Sequence, residues 1–81
     1  LADYTRLARQ RDRQRDAALP LAAQALDLAY SGYAAGDSSL ADVLAARRTL
    51  AEARFELLNL EAEVLAAAVT LHFLNEADDH E

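Results

Sequence analysis

From Val43 to Leu74 apolar residues recur in alternating steps of three and four, at Val43, Ala46, Leu50, Ala53, Leu57, Leu60, Val64, Ala67, Leu71 and Leu74, without a polar interruption. Such spacing keeps one stripe of a helix against a partner over many turns, and no strand period generates it. A second register, Leu44, Arg48, Ala51, Phe55, Leu58, Ala62, Leu65, Val69 and His72, repeats the same steps and is apolar apart from Arg48 and His72. At about 100° per residue the two stripes lie roughly 150° apart around the helix. Arg47, Arg54, Glu61, Ala68 and Asn75 occupy one strip between them, and Asp42, Thr49, Glu52, Glu56, Asn59, Glu63 and Thr70 the wider one. A helix with two apolar stripes is expected to have neighbours on both flanks, as in the wall of a bundle or tube.

The rest of the chain supplies one such neighbour. Residues 1–35 are helix formers almost throughout, Ala and Leu dominate a 53% hydrophobic composition, and two Gly and one Pro are the only breakers. Pro20 lacks an N–H and its ring clashes with the carbonyl four residues back, so a kink or break is expected between Asp16 and Pro20. Gly36 is positioned as a left-handed cap, and Ser39 with Asp42 resembles a capping box in which Asp replaces the usual Glu or Gln. The short tip, 36–39, turns the second arm, 40–75, back antiparallel to the first, and 76–81 reads as a frayed acidic tail. The expected fold is all-α, an antiparallel two-helix coiled-coil hairpin that assembles into a helical bundle or tube.

Charge and size narrow the function. A single core of 81 residues is only marginally stabilising, Cys is absent, and no disulfide can staple it. Met is absent even at position 1, which suggests a piece of a longer protein. The net charge of −6 argues against nucleic acid as a partner. No unbroken apolar run approaches the roughly 18 residues of a membrane span, and the piece reads as soluble. Folding about Gly36 brings Arg9 to Arg15 alongside Glu56, Glu61 and Glu63, which either sets the register through charge complementarity or leaves a solvated arginine face.

No nucleophile, base and orienting acid form a set, so no catalytic residue is assigned and the chain does not read as an enzyme. His72 and His80 are too far apart for a structural metal site, and neither a metal nor a cofactor is expected. The tip residues Tyr33, Ala35, Gly36, Asp37, Ser38 and Ser39 have two readings. They close a hairpin, or they form a knob that docks another helical hairpin.

The pattern Tyr33-x-x-Gly36-x-x-Ser39-x-x-Asp42-Val43-Leu44-x-Ala46-x-x-x-Leu50-x-x-Ala53-x-x-x-Leu57 resembles the hairpin motif of TolC-like outer-membrane efflux proteins, and Leu19-Pro20-Leu21-Ala22-Ala23-Gln24-Ala25-Leu26 resembles their heavy-metal and multidrug exporter branch. The resemblance implies a homotrimeric parent with a β-barrel in the bacterial outer membrane and a helical tunnel crossing the periplasm. It places Tyr33, Ala35, Gly36, Asp37, Ser38 and Ser39 at the periplasmic entrance, where a membrane-fusion adaptor linked to an inner-membrane pump docks. Asp37 is acidic where many members are neutral or basic. The function so implied is passive conduction of exported metal ions or drugs by a trimeric parent; separately, two apolar stripes on so small a hairpin lead to the expectation that the isolated piece self-associates as a dimer. The alternative is a stand-alone hairpin that dimerises into a four-helix bundle as a scaffold or interaction module.

Overall fold

The computed structural model describes residues 1–79. Helix α1 spans Ala2–Arg13, a π-helical turn follows at Gln14–Ala18, α2 spans Leu19–Ala35, and α3 spans Leu40–Asp79. α1, the π-turn and α2 form one continuous arm, and α3 returns beside it, giving an all-α antiparallel hairpin 69 × 15 × 12 Å. Both arms reach the length of the molecule, as α3 alone, with 40 residues, spans about 60 Å.

Pro20 does not divide the first arm. The interruption is absorbed upstream of the ring, where the Leu19 N–H bonds to the Gln14 carbonyl five residues back instead of four. Widening one turn accommodates the missing donor and the ring without breaking the helix. The extra residue also rotates the buried face. Leu7 and Arg11 ahead of the π-turn and Gln14 at its start face α3, and the half-buried or buried residues after it are Leu19, Ala22, Ala23, Leu26, Ala29 and Gly32. An uninterrupted seam would have continued through Leu21 and Leu28, which instead are 68% and 74% exposed.

The hydrophobic interior is one stripe wide. Leu7 and Ala22 pack against the stripe of α3 that contains Val43, Leu50, Leu60 and Val64, and these are the buried apolar residues. Ala46, Ala53, Leu57, Ala67 and Leu71 of the same stripe are half-covered, so Leu74 alone of that series stands exposed. No described side chain is enclosed to below 2% exposure, since two helices cannot surround a residue.

The expectation of neighbours on both flanks is met on one flank only within a single chain. Leu44, Phe55, Leu58, Leu65 and Val69 of the second stripe are all exposed, Leu58 to 64%. The geometric reason is the wide angle between the stripes, which turns the second one away from α1 and α2. α3 also runs on through Asp79, beyond the end expected near Leu74, so the described part of the acidic segment is helical. His80 and Glu81 lie outside the described residues.

The expected charge pairing between the arms is not formed. Among the described residues every ion pair lies within one arm: Arg6 with Asp3 at 3.6 Å, Arg11 with Asp12 at 2.8 Å, Arg15 with Asp12 at 3.3 Å and with Asp16 at 2.8 Å, and His72 with Glu76 at 3.2 Å. Arg6, Arg11 and Arg15 each pair with a carboxylate of their own arm within 4 Å. What bridges the arms is neutral: Gln14 Nε2 donates to the Ala53 carbonyl at 3.0 Å, from within the π-turn.

Candidate functional site: the hairpin tip and the uncovered stripe of α3

At the tip, two sets of hydrogen bonds stop one helix and start the next. Gly36 has φ 83° and ψ 8°, a left-handed conformation that glycine adopts without a Cβ penalty. Its N–H donates to the Tyr33 carbonyl at 3.1 Å, and the Asp37 N–H donates to the Gly32 carbonyl at 2.7 Å. These two bonds are the Schellman pattern, and they satisfy carbonyls that the helix end leaves without partners. Three residues on, the Asp42 N–H donates to Ser39 Oγ at 3.1 Å and the Ser39 N–H to Asp42 Oδ2 at 3.0 Å. The capping box is thus reciprocal, with the shorter Asp reaching as Glu would.

Gly32 is a residue that the sequence reading passed over. A Cβ there would collide with Ser38 Oγ and lie 3.0 Å from Ser38 Cβ, so the helix face at Gly32 is the seat on which the returning chain rests. The signal was present as a second glycine one helical turn before Gly36. Gly32→Ala should cost about 1 kcal/mol, as overpacking outweighs the helix-propensity gain, and less in a Ser38→Gly background. Urea melts of the two single variants and the double variant measure that coupling.

The tip residues form one surface. Tyr33, Ala35, Gly36, Asp37 and Ser39 are exposed, Ser38 is half-buried against Gly32, and Tyr30 adds a second exposed ring at 45%. No hydrogen bond or ion pair engages the Asp37 carboxylate among the described residues, and it projects from the turn as a lone charge.

The second surface is the outward stripe of α3. An 18-residue window of this helix has mean hydropathy 1.5 and is only 11% buried, so α3 is long and apolar enough to cross a membrane, contrary to the expectation from unbroken runs. The hairpin nonetheless opposes that use. The arm packed along α3 carries Arg6, Arg9, Arg11, Arg13 and Arg15, and each charge at a bilayer centre costs about 2.5–3.5 kcal/mol or more.

Between the arms, a shallow groove of about 540 Å³ opens beside the π-turn, bordered by Arg13, Gln14, Leu21, Glu56 and Leu60 among others. Nearby, Arg15 Nε and Nη2 donate to the two Asp16 carboxylate oxygens at 2.8 and 3.0 Å. That fork holds Asp16 below its ordinary carboxylate pKa and raises Arg15, to which Glu61 across the groove adds a minor share. The stabilisation is present above the unfolded pKa of Asp16 and disappears as pH falls through the depressed folded value. The pair is solvent-exposed and its contribution is small.

His72 lies 3.2 Å from Glu76 and edge-on to Phe73, with ring centroids 6.0 Å apart. Its expected partner in a two-histidine metal reading, His80, falls outside the described residues.

No family model, curated protein or solved structure matches this chain. The geometry of the two surfaces is therefore the ground for a functional reading.

Proposed function

We propose that this chain is a structural hairpin that acts by lateral helix packing and by docking through its tip, as a wall element of a trimeric bacterial outer-membrane efflux duct. In that role the covered stripe holds the hairpin together, the outward stripe of α3 joins the next helix of the wall, and the tip at Tyr33, Ala35, Gly36, Asp37, Ser38 and Ser39 meets a periplasmic membrane-fusion adaptor supplied by an inner-membrane pump. Exported metal ions or drugs would pass along the wall without chemistry. The observation that carries the lateral part is the outward stripe, apolar from Ala51 to Val69, with Phe55, Leu58, Leu65 and Val69 exposed in one line on a helix already packed on its other side. The TolC-like motif around Gly36 is what directs that packing surface to a duct.

The docking part is tested by Asp37→Lys in the parent protein. Asp37 has an exposed side chain, so reversal of its charge leaves the turn intact. Cells carrying the variant should lose resistance to the exported compounds while the protein remains at normal levels, and unchanged resistance removes tip docking from the reading.

A second reading, a stand-alone scaffold module that associates with its own kind, draws on a different observation. The order of residues along the outward stripe is self-complementary, as developed next.

A further inference from the structure

We infer that the chain pairs with a second copy of itself through the outward stripe of α3, the two α3 helices running antiparallel in a register centred on Leu60. The inference rests on the reading of that stripe as a helix-packing surface, and adds the partner, the orientation and the register.

Area comes first. The chain exposes 6027 Å². A folded monomer of 8.8 kDa exposes roughly 4,800 Å² by the usual size scaling. The surplus of about 1,200 Å² exceeds the ~800 Å² per partner of a standard stable interface. Part of that surplus follows from the 69 × 15 × 12 Å rod shape, but Leu44, Phe55, Leu58, Leu65 and Val69 stand exposed together on α3, where the steps of three and four suit knobs-into-holes packing against another helix.

Order along the stripe selects the orientation. From Leu44 to Glu76 the steps read the same in both directions, so an antiparallel copy meets the stripe in phase. Centred on Leu60, Phe55 faces Leu65 of the other copy, Leu58 faces Ala62, and Ala51 faces Val69. These pairs are apolar throughout and none sets two alanines or two aromatic rings against each other, which fills the seam without overpacking. At each end Arg48 meets the turn of the other copy that bears His72 and Glu76, and those two are already 3.2 Å apart. Opposite charges thus close both ends of an apolar seam.

The competing arrangements are worse. A parallel pairing sets Arg48 on Arg48 and Glu76 on Glu76. Shifting the antiparallel register by one heptad places Arg48 on Leu65 and Ala51 on Ala62, burying a charge and leaving a void; the opposite shift sets Phe55 on His72 and Ala51 on Glu76. The favoured register has two costs: Leu44 faces Glu76 of the other copy at each end of the seam, and Glu61 flanks the two-fold axis beside its counterpart, an exposed and salt-screened repulsion. Because the two stripes of α3 face nearly opposite ways, the dimer is a flat row of four helices with the α3 pair in the middle, not a closed four-helix bundle.

Sedimentation equilibrium of the 81-residue chain, with single cysteines introduced into its cysteine-free background, tests this. The expected result is a dimer in which Asn59→Cys, next to the axis, oxidises to a self-linked pair while Ala51→Cys does not. Leu58→Asp should weaken association about 100-fold or more, by burying an unpaired carboxylate, with helical circular dichroism preserved because Leu58 is 64% exposed in the hairpin. Self-linking of Ala51→Cys without that of Asn59→Cys would overturn the antiparallel register and leave the packing-surface reading standing. A monomer up to millimolar concentration, or a dimer indifferent to Leu58→Asp, would overturn both.

Discussion

Leu50→Ala is expected to destabilise the hairpin by about 2–4 kcal/mol, whereas Leu58→Ala should change monomer stability by no more than about 0.5 kcal/mol. Both residues are leucines on α3 at stripe positions, and nothing in local propensity separates them. Their surroundings do: Leu50 is 6% exposed against the first arm and Leu58 is 64% exposed. Removing the Leu50 side chain deletes buried methylenes and leaves a gap that two helices of fixed length close poorly. Among the described residues the interior holds only Leu7, Ala22, Val43, Leu50, Leu60 and Val64 as buried apolar residues, so the loss of one leucine removes a large share of the hairpin's cohesion. Urea denaturation at a protein concentration low enough to keep the chain monomeric gives the comparison. Equal costs at the two positions would show that the stripes are covered equally in solution.

Gly36→Val is the second change with a large expected effect, about 2 kcal/mol or more of hairpin stability. The position has φ 83°, where a Cβ meets its own backbone at a cost of about 1–2 kcal/mol, and a branched side chain raises that further. The strain is purely local, as nothing lies within 4 Å of the site a Cβ would occupy. Size alone therefore should not matter, and backbone preference should rank the variants: Asn mildest, Ala intermediate, Val worst. Gly32 shows the opposite logic, as it is helical and costly to replace through its contact with Ser38. Thermal melts of the Gly36 series check the order. A Val variant as stable as Ala would mean that the turn had changed conformation, with loss of the Asp37 N–H to Gly32 carbonyl bond.

The all-α hairpin was legible because its signals are short-range. Apolar steps of three and four, a glycine followed by serines, and Asp42 three residues after Ser39 each act within one or two turns, where spacing dictates contact. The capping box could be read with an unusual residue because the geometry asks only for a carboxylate in reach. Length was less legible: the acidic residues beyond Leu74 gave no stop signal strong enough to end α3, and the helix continues through Asp79.

Longer-range features were not legible. Arg11 and Arg15 lie on the arm facing the glutamates of α3, yet they pair with Asp12 and Asp16 beside them, and only distances in three dimensions reveal that. The tip surface is likewise visible in composition, whereas the seating of Ser38 on Gly32 requires the turn to be built.

What the sequence by itself determined is the helical period, the place of the turn and the existence of two apolar stripes on α3, since all follow from residue spacing along one rod. The tertiary structure decided which stripe the first arm covers and where that arm changes face. Pro20 is plain in the sequence, but the π-turn at Gln14–Ala18 that answers it, and that turns Leu19 and Ala22 inward while leaving Leu21 and Leu28 in water, depends on how an extra residue is accommodated against a partner helix. One residue added to a turn rotates everything beyond it, and only packing against α3 selects where the rotation occurs.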